Sequence, residues 1–578
     1  MTVQKQGKTY AYLKLVHGYR EGRRVRERVL LNLGREDELK RSGQLEHLAA
    51  TFARQDPPML GVRREVGPLL LVHHYLQRLG LAQIIERALP DRGRAQLTTS
   101  EVVSALIANR LCAPSPLNDI AGWASSAALQ ELFGIPAMLL NDDRLGRALE
   151  AFCPRAEEIR GAAALAAIER FGLDAGRLHL DLTALRVCDA YEQSSLVAKG
   201  WNAERRVERQ VKVLQATTSA GIPLYARLLA GNTAELVCVG AALERLSLLL
   251  PPGLLFCTDS ALGHWKNLCA AAQAGLSFLV PLRDDTGFQE RYLEEVGFQA
   301  LEPLDYVSRR QRQLPLAKRT RYLGALRRFP VLDPQTKLLH DYHVAYIWSS
   351  EESRTIADAR ERALASAEAA LWRIQRGLGG PYYKTQKQVE DRVANVVKGA
   401  AKGLLSISTG SQNGRPTLSF SRDLDAIAAR ARLDGVYALA TNLERDLSAQ
   451  GLLQLYKDQC LVELRHRDLK GKLRVRPIFL HNDDRIQALI SIQGLALLIF
   501  GLMELDLRRS LTDHEQLPGL LPEGRSARPT GRNLLAAFQG LGLTYTAKGI
   551  VLDRLTPTQR RILSLLHVPI PWPEQGAE

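Results

Sequence analysis

The first residues alternate between apolar and polar side chains as β-strands do. β-Branched and aromatic residues stand on either side of a turn bounded by Gly18 and Gly22, so residues 8–34 predict a β-hairpin. Its exposed side would carry four arginines, which fit either a DNA contact or a solvated strand face: Arg23, Arg24, Arg26 and Arg28. A proline pair then ends this module, which we place at residues 1–60.

From residue 66 to 170 the apolar residues recur at helical spacing. Thr98 or Thr99 can cap one helix and Asn141 or Asp142 another, and prolines separate the two. The pattern predicts an all-helical domain at residues 61–172, used for DNA-end binding or for dimerisation.

At residue 176 the pattern changes to strands joined by short turns and helices. Strands are predicted at 177–183, 211–217, 223–229, 253–259 and 277–282, with helices at 234–250 and 264–274. This order predicts a mixed α/β sheet with helices packed on it, and its first part spans residues 173–284.

Residues 285–432 interrupt the sheet pattern and predict an inserted β-plus-helix module. Tyr306 to Pro330 holds eight basic residues, among them Arg319 and Arg321, and no acidic ones. Basic residues interleaved with aromatic ones suit a surface that follows a nucleic-acid backbone, although a solvated strand pair has the same composition. Further on, a strand carries Trp348, a candidate for stacking on an unpaired base or for core packing. An Ala-rich helix at 354–376 ends at Gly377.

The α/β pattern returns at residue 434 and completes the split domain at residues 433–510. It consists of a strand at 434–442, a long helix at 450–470 and an apolar helix at 486–503. The apolar helix is shorter than the roughly 20 residues of a membrane span, so we expect a buried core helix and no membrane partner. A C-terminal segment follows at 511–578, with a helix near 533–539, a β-like run at 550–552 and a last helix after Thr556.

Composition adds a partner class to this outline. The net charge of +15 indicates a polyanion, most simply nucleic acid. The seven cysteines are scattered and form no C-x-x-C pair, which suits a reducing cytoplasm. The N-terminus has no apolar signal region, so we expect a cytoplasmic protein associated with the nucleoid.

Three carboxylates stand out by their placement: Asp181 within the first strand of the α/β domain, Asp259 at the end of a buried strand, and Glu463 on the long helix. Acidic groups in apolar surroundings are costly unless they are paired or hold a metal. A set of oxygen ligands suits Mg²⁺ or Mn²⁺, and two such ions about 4 Å apart support phosphodiester chemistry. Taken singly, each acid also fits a surface position or a helix cap.

The helix around Glu463 strengthens the case for a shared site. Tyr456, Gln459, Glu463 and Lys470 lie close to one stripe of that helix, and Arg467 is among the basic residues nearby. A tyrosine and a lysine flanking a metal-binding glutamate would hold phosphates on either side of a scissile bond. A salt-bridged surface helix is the alternative.

These residues resemble the DDE transposases of bacterial insertion sequences, whose signature around the catalytic glutamate is Y-x2-R-x3-E-x6-K. Tyr456, Glu463 and Lys470 stand at the family spacing, whereas Gln459 replaces the arginine, so one phosphate-binding charge is missing. The runs HLDLT, FCTDSALGHWKNL, GNT and DGVYALATN resemble further landmarks of the catalytic domain. The N-terminal YLKLVHGYREGRRVRERVLLNLGR and the later DDRLGRALEAF resemble a longer subgroup of the family.

The resemblance implies a ribonuclease H-like mixed sheet split by a β-rich and helical insertion after the second aspartate. It implies that Asp181, Asp259 and Glu463 bind two Mg²⁺ ions, which Mn²⁺ can replace, and that Tyr456 and Lys470 position DNA phosphates. The expected partners are the terminal inverted repeats and the target DNA, both double-stranded, held by a homodimer. Water would attack at the element's end, and the freed 3′-hydroxyl would then attack target DNA.

Two other functions remain open at this point. One is a DNA-binding protein derived from a transposase with an inactive or repurposed site, which Gln459 favours and the three intact acids oppose. The other is a different nuclease of the same fold, which the long insertion opposes.

Overall fold

The structure, a computed structural model, falls into two compact units. The first consists of Met1–Glu65, Leu541–Leu555 and Ile570–Glu578, and the second of Val66–Gly540 and Thr556–Pro569. The structure describes the chain outside the following residues: 1, 6–7, 22–23, 37–60, 91–92, 94–95, 188–190, 192, 202–205, 234–252, 309–310, 334–335, 445–446, 458–459, 472, 474–479, 481, 513–514, 522, 548 and 577–578.

The first unit contains two small antiparallel sheets. One has the order β1 (Thr2–Lys5), β2 (Lys8–Glu21) and β3 (Arg24–Arg35). The hairpin predicted for residues 8–34 is confirmed, but β2 continues through Gly18, so most of the predicted turn is strand. The side chains of the four arginines lie outside the described part of the chain.

The other sheet joins distant parts of the sequence in the order β18 (Gly549–Leu552), β17 (Gly542–Thr546) and β4 (Arg63–Glu65). Sequence analysis predicted a β-like run only at 550–552 and placed residues 63–65 in the helical domain, because pairing between such distant residues leaves no local pattern. Arg63 and Asp553 form an exposed ion pair at 2.6 Å in this sheet region.

Helices open the second unit, as predicted. They are α1 (Leu69–Leu79), α2 (Leu81–Ala88), α3 (Thr99–Cys112), α4 (Ile120–Ser126), α5 (Leu129–Phe133), α6 (Asp142–Phe152) and α7 (Ala156–Phe171). Thr98 begins α3 with a capping box to Glu101, and the Asn141 side chain caps α6. These caps fix the helix starts where the sequence placed them.

A mixed ten-stranded sheet follows and carries the candidate site. Its strands are β5 (Arg177–Arg186), β6 (Ala198–Trp201), β7 (Val207–Thr218), β8 (Pro223–Ala230), β9 (Leu255–Cys257), β10 (Ser277–Pro281), β11 (Glu302–Leu304), β12 (Tyr322–Leu332), β13 (Leu339–Ser349) and β16 (Val436–Thr441). The order is β11-β12-β13-β16-β10-β9-β5-β7-β6, and β8 pairs along β7 as well. The mixed α/β fold is confirmed, while the helix predicted at 234–250 lies outside the described residues.

The strands of the predicted insertion belong to this sheet. β13 pairs with β16 over His343–Trp348, so residues 302–349 extend the sheet instead of forming a separate module. The reason is that β13 is apolar on both faces, which suits a central strand.

The remainder of the interval packs around its own small core. It comprises α10 (Ser350–Arg376), α11 (Gln386–Val396), the hairpin β14 (Leu405–Gln412) and β15 (Arg415–Arg422), and α12 (Leu424–Ala431). Leu364, Leu371 and Val389 are buried at its centre. A bidentate pair between Arg360 and Asp434, 2.7 Å for each bond, connects α10 to the turn before β16.

The unit has further helices. They are α8 (Trp265–Gln273), the short α9 (Phe288–Arg291), α13 (Ala449–Lys457), α14 (Cys460–Lys470), α15 (Asp483–Arg509), α16 (Gly531–Ala536) and α17 (Pro557–Leu565). Of these, α8, α13, α14 and α15 pack on the sheet. The helix predicted at 450–470 is described as α13 and α14, on either side of residues 458–459.

Helix α15 is the apolar helix of the sequence, and it lies inside the fold. It is long and apolar enough to cross a membrane, yet 89% of its most apolar window is buried in the unit. It packs against α1, α3, α6, α7, α14 and β8, so the prediction of a core helix is confirmed.

Candidate active site

The sheet register places the two aspartates on neighbouring parallel strands. Arg177 pairs with Leu255 and His179 with Cys257, a constant offset of 78 residues that also separates Asp181 from Asp259. Asp181 and Asp259 each lie two residues after the last of these pairs, so both stand at the same end of two neighbouring parallel strands. β9 ends at Cys257, so Asp259 lies just beyond the strand and not within it as predicted, and it is partly buried.

Helix α14 brings a row of polar side chains to the same strands. It packs against β5 and β7, and Glu463, His466, Arg467 and Lys470 follow one another at offsets of three, four and seven residues from Glu463. His466 Nδ1 lies 3.2 Å from Asp181 Oδ2, with the histidine side chain 8% exposed and the aspartate 20%. This contact connects the α14 row directly to the first aspartate.

Tyr456 lies near the end of α13 and is influenced by the charges of two of the three acids. Its pKa is raised to about 12, first by burial and then by the negative charges of Asp259, Glu352 and Glu463. The sequence prediction that Tyr456 belongs with these acids rests on helical spacing, and the influence of Asp259 and Glu463 on its pKa agrees with that prediction.

An aromatic cluster fixes the end of α13. The Nζ atom of Lys457 lies 5.4 to 5.8 Å from the ring centres of Tyr322, Tyr437 and Tyr456. The same tyrosines pack on an apolar cluster that includes Cys257. The Tyr456 hydroxyl is therefore held by packing on several sides.

A buried ionic network holds α14 in place. Arg465 donates to Glu504 of α15 at 3.0 Å, to Asp468 at 3.2 Å and to the carbonyl oxygen of Gly221 at 2.6 Å. Arg508 also pairs with Glu504 at 2.5 Å. Because these groups are almost fully buried, the network fixes the position of α14 relative to the sheet.

The layer beneath Asp181 is polar but uncharged. His179 is fully buried, and burial together with Arg177 lowers its pKa to about 4, so the imidazole is neutral at assay pH. Gln215 pairs with Asp181 across β7 and is also fully buried. Among the described residues, neither side chain has a hydrogen-bond partner, so this layer adds no cation to compensate the carboxylates.

These features fit divalent cations. The three carboxylates come from three elements, offer oxygen ligands only, and face a neutral layer on the sheet side. Such a donor set suits Mg²⁺ or Mn²⁺ better than a softer metal.

The remaining residues that were predicted to contact DNA differ in their exposure and in their hydrogen bonds. Arg467 is exposed on α14, Lys470 is half-buried there, and Gln459 lies outside the described residues. Arg319 donates to the carbonyl oxygens of Leu314 and Arg312 at 2.8 Å each, so its guanidinium is bound within its own loop. Arg321 is exposed.

Trp348 is not brought together with the acids. By strand alternation it lies on the face of the sheet opposite Ala345 and Ile347, which pack under α13. It is partly buried and packs edge to face on Phe298, which is 49% exposed, with 5.3 Å between the ring centres.

Sequence analysis did not identify His466. Its signal is the three-residue spacing from Glu463, which puts it on the active face of α14, but a histidine among basic residues has no distinctive pattern. Arg465 was counted only as a nearby basic residue, because its burial depends on the distant Glu504.

The raised pKa of Tyr456 gives a testable pH dependence. Since the pKa moves from 10 to about 12, the hydroxyl remains a donor below about pH 10, and the stability it contributes is lost as the pH rises through about 12. We expect Tyr456→Phe to slow DNA cleavage about tenfold through loss of one hydrogen bond to a charged group, by a factor constant from pH 7 to 10. Tyr382→Phe, at an 81% exposed position, is the control. A ratio of wild-type to variant rates that changes below pH 10 would contradict this placement.

Comparisons with protein families agree with this geometry. The model of the IS1634 family transposase N-terminal domain matches residues 1–58, and a domain of unknown function (DUF4277) matches residues 63–157. The transposase DDE domain matches residues 174–499, which is more than half of the chain and includes all three acids. No curated protein was found to match. The chain therefore belongs to the DDE transposases, as an insertion-sequence transposase with metal-dependent DNA transposase activity.

Proposed function

We propose that this transposase binds the terminal inverted repeats of its own element, cuts DNA there and joins the freed 3′ end to target DNA. The observation that supports this most strongly is that Asp181 and Asp259 follow neighbouring parallel strands in register, while α14, which carries Glu463, contacts Asp181 through His466. Carboxylates on a strand, on the loop after its neighbour and on a helix suit an attack on a phosphodiester that leaves no covalent protein–DNA intermediate.

In this proposal Asp181, Asp259 and Glu463 hold two Mg²⁺ ions, which Mn²⁺ can replace. Bound there, the ions supply activation of the attacking oxygen and stabilisation of the leaving oxygen. His466 holds the Asp181 carboxylate in one orientation through the 3.2 Å contact.

The protein's own side chains position the DNA. The protonated Tyr456 hydroxyl donates to a phosphate beside the scissile bond, and Lys470 and Arg467 on α14 contact phosphates on the other side. Gln459 offers an amide where the family has a guanidinium, and Arg321 extends the cationic surface. Arg319 and Trp348 are left out of this set, because one binds its own loop and the other packs on the opposite face.

The remaining parts have supporting roles. We assign end binding or dimerisation to residues 1–60 and 61–172, catalysis to 173–284 and 433–510, and phosphate contacts to part of 285–432. A homodimer would hold two ends together, and residues 511–578 would support it. The net charge of +15 favours binding to DNA. We place the protein in the cytoplasm, associated with the nucleoid.

The test is cleavage of a duplex that carries the terminal repeats, with and without Mg²⁺ or Mn²⁺. We expect nicks at the element ends only when the divalent ion is present, and loss of nicking on chelation. Tight binding without nicking at any metal concentration would contradict the proposal. It would favour the DNA-binding alternative to which the Gln459 substitution points.

A further inference from the structure

We propose a second metal site, for zinc, formed by Cys269, Asp333 and His340. Cys269 belongs to α8, Asp333 follows β12, and His340 lies near the start of β13. One ligand atom from each lies within 4.8 Å of the others, and Cys269 and Asp333 are only 1% and 2% exposed. The site goes beyond the transposition chemistry and does not depend on it.

The donor set selects the metal. A thiolate, an imidazole and a carboxylate are the ligands that Zn²⁺ combines, whereas Mg²⁺ avoids sulfur. Zinc bonds of ordinary length put neighbouring ligand atoms about 3.3–3.8 Å apart. His340 Nε2 and Asp333 Oδ2, 3.8 Å apart, are already within this range, and all three ligand atoms lie within 4.8 Å of one another, so a closure of about 1 Å completes the set.

A second observation points to a ligand at this place. The Nε2 atom of His340 is buried, and it has no hydrogen-bond partner within the described part of the chain. The imidazole is stacked on Tyr342 with a ring-centre distance of 5.6 Å and an interplanar angle of 5°, which constrains the plane of the ring. A buried nitrogen without a hydrogen-bond partner, 3.8 Å from a carboxylate oxygen, is what a coordinated cation would satisfy.

Neighbouring groups orient the other ligands, as around established metal sites. The side chains of Gln273 and Thr336 donate to Asp333 Oδ2, the latter at 2.8 Å. Tyr342 interacts with the Cys269 thiol, and burial raises the pKa of that thiol. Zinc binding would therefore release the thiol proton to solvent. The His340 side chain keeps 24% exposure, which leaves room for water as a fourth ligand.

Turn formation alone explains only part of the cluster. Asp333 accepts from Thr336 and so stabilises the β12–β13 turn. That role needs neither the unpartnered nitrogen of His340 nor a thiol from a different helix. A cation would connect all three and would fasten the β12–β13 turn to α8, the helix that follows Asp259.

The cluster is distinct from the three carboxylates. The residue pairings across β13, β16, β10, β9 and β5 place His343 and His179 at the same height along the sheet. His340 therefore lies at the end of the sheet opposite Asp181. Strand spacing and rise give a separation of roughly 25 Å. Trp265 of α8 stacks on Tyr342, which by strand alternation faces away from α13.

The experiment is Co²⁺ and Zn²⁺ binding to the metal-free full-length chain, with absorption spectroscopy as the readout. We expect about one equivalent of Co²⁺ to give a thiolate-to-cobalt charge-transfer band that Zn²⁺ abolishes. The band should vanish in Cys269→Ser. In His340→Gln the apparent affinity for Co²⁺ should fall at least tenfold. It should persist in Cys153→Ser, which alters another buried free thiol, and in a chain that carries both Asp181→Asn and Glu463→Gln.

Two outcomes would overturn the site. One is a wild-type chain without a thiolate band, a result that does not depend on the folding of any variant. The other is a band that survives Cys269→Ser with unchanged intensity, which would assign the metal to a different cysteine. Because the readout is metal binding, neither outcome bears on DNA cleavage.

Discussion

Asp259→Asn is expected to lower the rate of DNA strand cleavage at the element ends by at least about 1000-fold. The asparagine keeps the size of the side chain but removes the charge that helps to hold the divalent ions. Loss of about 4 kcal/mol of transition-state stabilisation corresponds to that factor. The measurement is the single-turnover cleavage rate at saturating Mg²⁺, with DNA binding followed separately.

Asp285→Asn is the matched control, because Asp285 is an exposed acid of the same DDE domain and pairs with Arg283 at 3.1 Å. We expect wild-type cleavage from it. Cleavage by Asp259→Asn within tenfold of wild type would show that Asp259 is not a metal ligand.

Arg465→Met is expected to lower the free energy of unfolding by about 3 kcal/mol or more. The substitution keeps an apolar stem of similar length but leaves Asp468 and Glu504 with less compensation in a site where Arg465 and Glu504 are each 3% exposed. Since Arg465 connects α14 to α15, the same change should also reduce cleavage. Urea unfolding followed by circular dichroism measures the first effect.

Arg467→Met tests whether burial is the cause. Arg467 lies two residues further along α14 and is exposed, so its loss should change the free energy of unfolding by no more than about 0.5 kcal/mol. Equal destabilisation by the two substitutions would contradict the assignment of Arg465 to a buried network.

Local patterns predicted much of this fold. The capping residues Thr98 and Asn141, the apolar helix α15 and the strands around Asp181 follow from short-range spacing, and each lies where the sequence placed it. The pairing of β13 with β16 and of β4 with β17 could not be predicted in this way. Both pairings join residues far apart in sequence. The side-chain pattern of a strand shows whether it is exposed or buried, but it does not identify the partner strand.

In the candidate site, too, residues with a short-range pattern were predicted and those that depend on distant partners were not. Asp181, Asp259, Glu463 and Tyr456 have recognisable spacing, and the strand register and the raised pKa of Tyr456 agree with the prediction that they belong to one site. His466 was missed because its partner, Asp181, is distant in sequence. A DNA contact by Trp348 stays a prediction, and composition alone did not show that Trp348 lies on the face of β13 opposite α13.

Strand transfer with a precut end tests the central proposal most directly. The substrate is a duplex of the terminal repeat with a free 3′-hydroxyl, mixed with a second duplex, the protein and Mg²⁺. We predict joined products that depend on the 3′-hydroxyl and on the metal, and that disappear with Glu463→Gln while the repeat is still bound. Binding and hydrolysis without any joined product would contradict the account and would identify a nuclease in place of a strand-transferring enzyme.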